Sequence, residues 1–408
     1  MDNSTTGVDT HYDYIIAGAG CAGLSLLYQL LQSPSLKDKR ILVIDRSFQK
    51  SNDRTWCFWE VGAGDFEHLV CKQWETISIH SGHMHKPLST RPFTYKMIQG
   101  IDYYQYIIEL AKKHENVFWR EANINEISTS NDNGVIYFES GKQATAPFVF
   151  SSIVPKQFHA SFTESNEQLS KVLLENEKPF LWQHFKGILV EFDSPFFDPA
   201  VARLMDFNVP QKGATAFMYI LPLSATKALV EYTLFSENLL PTDQYDEVLQ
   251  RYLSDMIYAN APAANYKILH EELGAIPMTQ QSFSDNTAPI HTIGTLSGAV
   301  KASTGYAFQF IQAQTKQVVQ QLEQGVAIET NMHDTRHYFY DAVLLHILKQ
   351  HKMEGKEIFS RIFSKNKAAT IFKFLSNTSN IFEDIQIMRS LPTRIFLPAA
   401  IRVLLRRG

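Results

Sequence analysis

The stretch YDYIIAGAGCAGLSLLYQLLQS (residues 12–33) constrains the fold more than any other part of the chain. It opens with a short, mainly apolar run typical of a buried strand. Three glycines follow in a G-x-G-x-x-G pattern, Gly18, Gly20 and Gly23, and then a leucine-rich run of helical length. A second apolar run, RILVID (40–45), ends on Asp45. Strand, glycine turn, helix and strand within about 35 residues predict a βαβ unit. Gly18 permits the tight turn, and Gly23 permits close helix–strand packing. Gly20 lets a pyrophosphate approach unpaired N–H groups at a helix N-terminus, where the helix dipole favours an anion. Asp45 is placed for a ribose hydroxyl. The pattern points to a dinucleotide without separating FAD from NAD, and a glycine turn with no ligand is the competing reading.

A second small-residue element lies late in the chain. IHTIGTL (290–296) is strand-like and runs into SGAVKASTGYAF (297–308), after which FQFIQAQTKQVVQQLEQG (308–325) reads as a helix ending at Gly325. Gly294, Gly298, Thr304 and Gly305 leave room for backbone amides to approach a ribityl chain and a flavin ring. A plain NAD dehydrogenase needs no such element some 270 residues after its phosphate loop, so FAD is the predicted cofactor. A purely structural turn is the alternative.

Between these elements the chain predicts a helix at about 102–114, a third strand at 116–120, a hairpin around TSNDN (129–133) and a strand at 146–152. Residues 180–235 alternate as short antiparallel strands, 243–259 read as a helix, and 335–400 are mostly helical. The predicted class is α/β. A Rossmann-type FAD-binding domain comprises residues 1–155 together with about 285–325. An antiparallel β-sheet substrate domain spans about 156–284, and a helical C-terminal region about 326–408.

The 408 residues carry a net charge of −4, which argues against general nucleic-acid binding. Cys21, Cys57 and Cys71 form neither a disulfide framework nor a metal knuckle, and a reducing compartment fits them. No HExxH motif occurs, and His83 and His85 beside Gly82 read as a loop, so no metal site is predicted. The polar N-terminus lacks the features of a secretory signal, and no run approaches transmembrane length. The C-terminal stretch RIFLPAAIRVLLRRG (394–408) mixes apolar residues with four arginines. It fits either a bilayer surface or a docked terminal helix with a solvated basic end.

Two further stretches carry candidate chemistry. In ALVEYTLF (228–235), strand alternation puts Glu231 on one face with Leu229, Thr233 and Phe235. A carboxyl desolvated there would stay protonated and serve as a general acid; the competing reading turns Glu231 to solvent, with Val230, Tyr232 and Leu234 inward. DRTWCFWE (53–60) concentrates Trp56, Phe58 and Trp59 beside Glu60, and Trp56, Phe58 and Glu60 share a face if the stretch is extended.

Together these motifs resemble the flavoprotein lycopene β-cyclases of carotenoid-making bacteria, relatives of the plant cyclases. The resemblance runs over nearly the full chain, through YDYIIAGAGCAGLSL, DRTWCFWE, LWQHFKG (181–187), LMDF (204–207), ALVEYTLFSE, GAIPMT (274–279), GTLSGAVKASTGYAF and FKFLSNTS (372–379). It implies a non-redox reaction: protonation of a terminal double bond of lycopene, ring closure of the cation and loss of a ring proton, giving β-carotene via γ-carotene. It implies reduced FAD, with NADPH or NADH as electron donor, and a cytoplasmic enzyme held peripherally at the inner face of the membrane. Glu231 corresponds to the family's catalytic glutamate. Tyr232 stands where the plant pattern has a second acidic residue, which leaves a single carboxylate, and Ser151-Ser152 stands where many relatives have Asp-Ser. Trp56, Phe58 and Trp59 are suited to line a hydrocarbon tunnel and face a carbocation, an attraction of roughly 0.5–2 kcal/mol per ring; packing at the domain junction is the alternative. Glu60 is expected to orient Arg54 or polarise the site. The rival reading is an FAD-dependent monooxygenase or isoprenoid reductase of related fold. Against a hydroxylase, Gly294 is followed by Thr295, where a Gly-Asp pair is usual.

Overall fold

The structure, a computed structural model, describes residues 11–153, 178–281, 288–331 and 335–405. The polar residues 1–10 and the tail arginines Arg406 and Arg407 lie outside the described residues. The first turn forms as its spacing predicts. Strand β1 (Tyr14–Ala17) leads through the glycines into helix α1 (Cys21–Gln32) and back to β2 (Ile41–Asp45), which pairs with β1 in parallel.

The chain then runs through β3 (Thr55–Glu60), β4 (Lys72–Trp74), β5 (Thr76–Ser81), β6 (Met84–Ser89) and β7 (Thr94–Gln99). Strands β3, β7 and β4 make a small sheet of their own. His83 sits in the turn, but His85, expected in the same loop, lies within β6. That strand is an edge, where its Pro87 costs no ladder hydrogen bond, and such a strand reads poorly from composition. Helix α2 (Gly100–Ala111) precedes β8 (Val117–Glu121). Strands β9 (Ile124–Ser130), β10 (Asn133–Phe138) and β11 (Gln143–Ala146) form an antiparallel sheet, in which Asn131 and Asp132 turn the first hairpin with φ of 47° and 63°. Short polar side chains tolerate that left-handed backbone. Strand β12 (Phe148–Ser151) rejoins β1 in parallel.

Strands β13 (Phe180–Phe192), β14 (Val201–Asp206), β15 (Thr215–Pro222) and β16 (Lys227–Ser236) follow, then α3 (Thr242–Asn260), β17 (Tyr266–Thr279) and β18 (Ile290–Thr292). Strand β18 completes a five-stranded parallel sheet of order β18-β12-β1-β2-β8. The others form a seven-stranded sheet of order β17-β13-β16-β15-β14-β5-β6, antiparallel except where β14 meets β5. That sheet recruits β5 and β6 from the N-terminal part of the chain.

After a 3-10 turn at Gly294–Ser297, α4 (Phe308–Gln324) ends at Gly325, whose φ of 66° forms a left-handed cap. Helices α5 (Thr335–Lys349), α6 (Gly355–Lys365), α7 (Ala368–Leu375), α8 (Ile381–Arg389) and α9 (Thr393–Leu405) complete the described chain. None of the described helices is long and apolar enough to cross a membrane.

The large sheet is buried on both faces. Val230, Tyr232 and Leu234 pack under Tyr245, Leu249 and Leu253 of α3. Leu229, Phe235 and Phe217 belong to the core that holds Phe359 of α6 and Phe372 of α7. Lys301 ties the late glycine loop to this helical layer. Its ammonium is fully buried, 2.9 Å from Asp341 of α5 and 2.7 Å from the Asn377 side chain. Removing one partner of such a pair leaves a buried charge uncompensated. Asp341→Ala is expected to lower unfolding free energy by about 3–5 kcal/mol in urea titrations; a loss under 1 kcal/mol would contradict this.

Candidate active site

Strand β13 pairs with β16 on one side and β17 on the other, and the register sets four residues in one row. Tyr219 of β15 lies opposite Glu231, Glu231 opposite Gly187, and Gly187 opposite Glu272. Residues in register on adjacent strands point to the same face, so both glutamates rise beside Gly187. Two strand spacings separate their backbones by about 10 Å, and the side chains close that gap by leaning over the glycine. They are close enough for each to shift the other's protonation. A Cβ at Gly187 would lie 2.9 Å from Cγ of Glu272 and 3.1 Å from its Oε1. The missing side chain leaves room there for Glu272.

Each carboxyl has one further partner. Thr233 Oγ1 donates to Glu231 Oε1 at 2.7 Å, and Thr55 Oγ1 donates to Glu272 Oε2 at 3.0 Å. Among the described residues neither forms an ion pair; Arg54, which approaches this end of β17, is paired with Asp53 at 2.9 Å. Glu231 keeps partial surface exposure, although protein atoms crowd its carboxyl. Burial first, and the Glu272 charge second, push its carboxyl up to about 8. Glu272 is also raised, chiefly by burial. The site therefore holds a neutral carboxylic acid at pH 7, and neither sequence reading, a lone acid or a solvent-facing glutamate, described it fully. The expectation of a single carboxylate is corrected: the second comes from β17. Tyr232 faces the opposite side, under α3, as strand alternation requires.

The stretch DRTWCFWE forms β3, and its two faces go to different places. Trp56 and Phe58 stack on Phe308 at centroid distances of 5.6 and 4.8 Å, in the nucleotide-side core. Trp59 points the other way, stacked on Phe372 at 4.4 Å and against Tyr306 at 4.6 Å. Cys57 shares the Trp59 face and lies near Tyr95 of β7. The rings that interact electrostatically with Glu231 are Tyr219 and Tyr306, their hydroxyls 3.4 Å apart. Burial holds Cys57, Tyr95, Tyr219 and Tyr306 neutral. None of these four was singled out from sequence, although Tyr306 sits within KASTGYAF. Glu60 does not reach Arg54; it pairs with Lys96 at 2.9 Å, because Lys96 is buried and needs a counter-ion.

The two glycine elements come together. A Cβ at Gly294 would lie 2.7 Å from Cβ of Ala22, so the late loop rests on the start of α1. Gly23 could not carry a Cβ, which would meet the Gly18 carbonyl at 1.8 Å. The α1 N-terminus has no side-chain cap, and the space beside Gly20 is open. Asp45 closes β2 beside this turn and accepts the Ala19 N–H at 2.6 Å and Lys50 Nζ at 3.1 Å. Ser152 packs its hydroxyl against the carbonyls of Ala17 and Gly18. In the late loop Gly298 and Gly305 have φ of 84° and 72°. Among the described residues the buried Thr304 hydroxyl has no hydrogen-bond partner there, nor does Oε1 of Gln183, which abuts Gly305. Open donors at a helix N-terminus and orphaned polar atoms by a glycine loop fit a bound dinucleotide.

The folded Glu231 carboxyl binds its proton more tightly than the ordinary carboxyl value of 4.5. Its stabilising contribution is full below about pH 4.5 and is lost as pH rises through about 8. Glu231→Gln is expected to be more stable than the unaltered protein at alkaline pH, by roughly 1–3 kcal/mol, and about equal to it in acid. Urea titrations across that range check the sign; equal stabilities throughout would contradict it.

Comparison with known proteins supplies a family. A family model described as lycopene cyclase protein matches residues 13–400. A lycopene beta-cyclase of Pantoea ananas is 24% identical over 307 residues, 73% of this chain and 71% of that protein. Another, from Paracoccus sp., is 29% identical over 143 residues, 34% of this chain and 35% of that protein. In fold, the chain is similar to a solved flavoprotein/dehydrogenase of Cytophaga hutchinsonii, with a TM-score of 0.55 at 12% identity, covering 98% of this chain and 100% of that one.

Proposed function

The chain belongs to the lycopene cyclase family, and from that premise we propose that it is a lycopene β-cyclase in which Glu231 is the catalytic acid. The carrying observation is a carboxyl kept protonated by burial on the sheet face that meets β3. Glu231 gives its proton to a terminal double bond of lycopene, leaving a tertiary cation. An internal double bond closes on that cation. Loss of a ring proton leaves the β-ionone ring, and the same steps at the other end give β-carotene by way of γ-carotene. No electrons are exchanged with the product.

The polyene end must reach Glu231 in a space without water, since water would capture the cation. Tyr219 and Tyr306 lie near Glu231, with Trp59 against Tyr306, and would offer aromatic rings to a cation, which gains roughly 0.5–2 kcal/mol near a ring face. Trp56 and Phe58 brace β3 from behind. Gly18, Gly20, Gly23 and Asp45 would hold the pyrophosphate and ribose of FAD, and Gly294, Gly298, Thr304 and Gly305 its ribityl chain and ring edge. Reduced FAD, with NADPH or NADH as its electron source, would supply negative charge beside the cation.

A lipid-soluble substrate calls for access from a bilayer. Helix α9 exposes Leu397, Ile401, Leu404 and Leu405 with Arg394 and Arg402. The neighbouring helix α8, which the sequence reading left out, exposes Ile381, Phe382, Ile385 and Met388, with Phe382 at 79%. Apolar rows beside arginines support peripheral binding to an anionic leaflet, the cytoplasmic face of the cell membrane. Replacing Phe382 and Leu405 with Glu together is expected to lower co-sedimentation with anionic vesicles at least fivefold; unchanged partitioning would reject this surface.

Expression in a lycopene-accumulating bacterium is expected to convert the pigment to β-carotene. Glu231→Gln should lower conversion by about 10²–10⁴-fold, the usual worth of general-acid catalysis. Wild-type rates in that variant, or a hydroxylated product, would reject the reading.

A further inference from the structure

We infer that Glu272 is a positioning residue for the proposed cyclisation: it shares one proton with Glu231 across Gly187, so that the two carboxyls work as a single acid–base unit. The inference rests on the cyclase reading for its chemical role, but its geometry stands alone. The two side chains occupy one register row on strands that flank β13, and the absent Cβ at Gly187 gives Glu272 room to lean over that row. Thr233 and Thr55 each donate to one outer oxygen, which leaves the facing oxygens to share a proton.

Two carboxyls this close in a dry site cannot both be ionised cheaply, so the resting pair keeps one proton and one negative charge. The groups facing it bear on that balance unequally: His270 and Arg54 favour the negative charge on Glu272, which leaves the proton on Glu231. Cys57 of β3, Tyr95 of β7, Tyr219 of β15 and Tyr306 stay neutral through burial. On the β17 side, His270 engages the Asn52 carbonyl and Arg54 is paired with Asp53. When the O–H bond of Glu231 breaks and the new C–H bond forms on the polyene, the pair carries two negative charges against the one positive charge of the cation. Mutual repulsion then makes it a strong base. The ring C–H bond breaks, its electrons form the ring double bond, and the proton returns to the pair. Charge and protons balance over the turnover, with no oxidant or reductant consumed.

The test uses the full-length protein in three variants, Glu272→Gln, Glu272→Asp and Gly187→Ala. One readout is the infrared absorption of protonated carboxyl groups against pH, without substrate. The other is the pH profile of lycopene conversion. In the unaltered protein a buried carboxyl signal should persist to about pH 8. In Glu272→Gln that signal should vanish about 1 pH unit or more lower. The alkaline limb of conversion should move with it: for a one-unit shift the rate should fall about twofold at pH 7 and about tenfold at pH 9. Glu272→Asp should restore part of the shift. Gly187→Ala keeps both carboxyls but sets a methyl group between them, and should resemble Glu272→Gln. An unmoved infrared titration and an unmoved pH profile would overturn the inference and leave Glu231 as sole acid. If the protein does not convert lycopene at all, the proposed function falls, and the infrared titration still decides whether the proton is shared.

Discussion

A desolvated carboxyl is expensive to fold around, and the protein places Glu231 where three layers of structure hold it. The seven-stranded sheet presents it, β3 covers it, and the helical layer closes the same core through Trp59 and Phe372. Its ionised form loses hydration without gaining a cation, so the neutral acid is the stable species near neutrality. A lysine or arginine in ion-pair range would reverse that preference. The cations nearby are directed elsewhere: Lys96 to Glu60, Arg54 to Asp53, and Lys301 to Asp341.

The fold converts this local chemistry into a site by joining parts that are distant in sequence. Strand β3 is the joint. Its Trp56 and Phe58 anchor in the nucleotide-side core, its Thr55 reaches Glu272, and its Cys57 and Trp59 face the large sheet. The late glycine loop touches the start of α1 at Gly294 and Gln183 of β13 at Gly305, and Lys301 fastens it to α5.

Much of the architecture was legible because it is written in local patterns. The glycine turn, α1 and β2 follow from spacing, α4 ends at its glycine cap, and strand alternation puts Glu231 with Leu229, Thr233 and Phe235. Strands β4 to β7 were not legible. Their pairing is set largely by partners distant in the chain, as β5 with β14 and β7 with β3. The fate of Glu60 was missed for a related reason: its counter-ion Lys96 lies on β7, and only strand pairing brings the two together.

The sequence by itself determined the phosphate turn, the acid on an apolar strand face and the aromatic density of β3, because backbone conformation and period-two alternation depend on near neighbours. Only the tertiary structure decided that Glu231 has a carboxyl partner. Glu272 lies 41 residues on by the numbering, and the two meet solely because β13 runs between their strands with a glycine in the shared row. Register across three strands is a property of the whole sheet, and no local pattern encodes it.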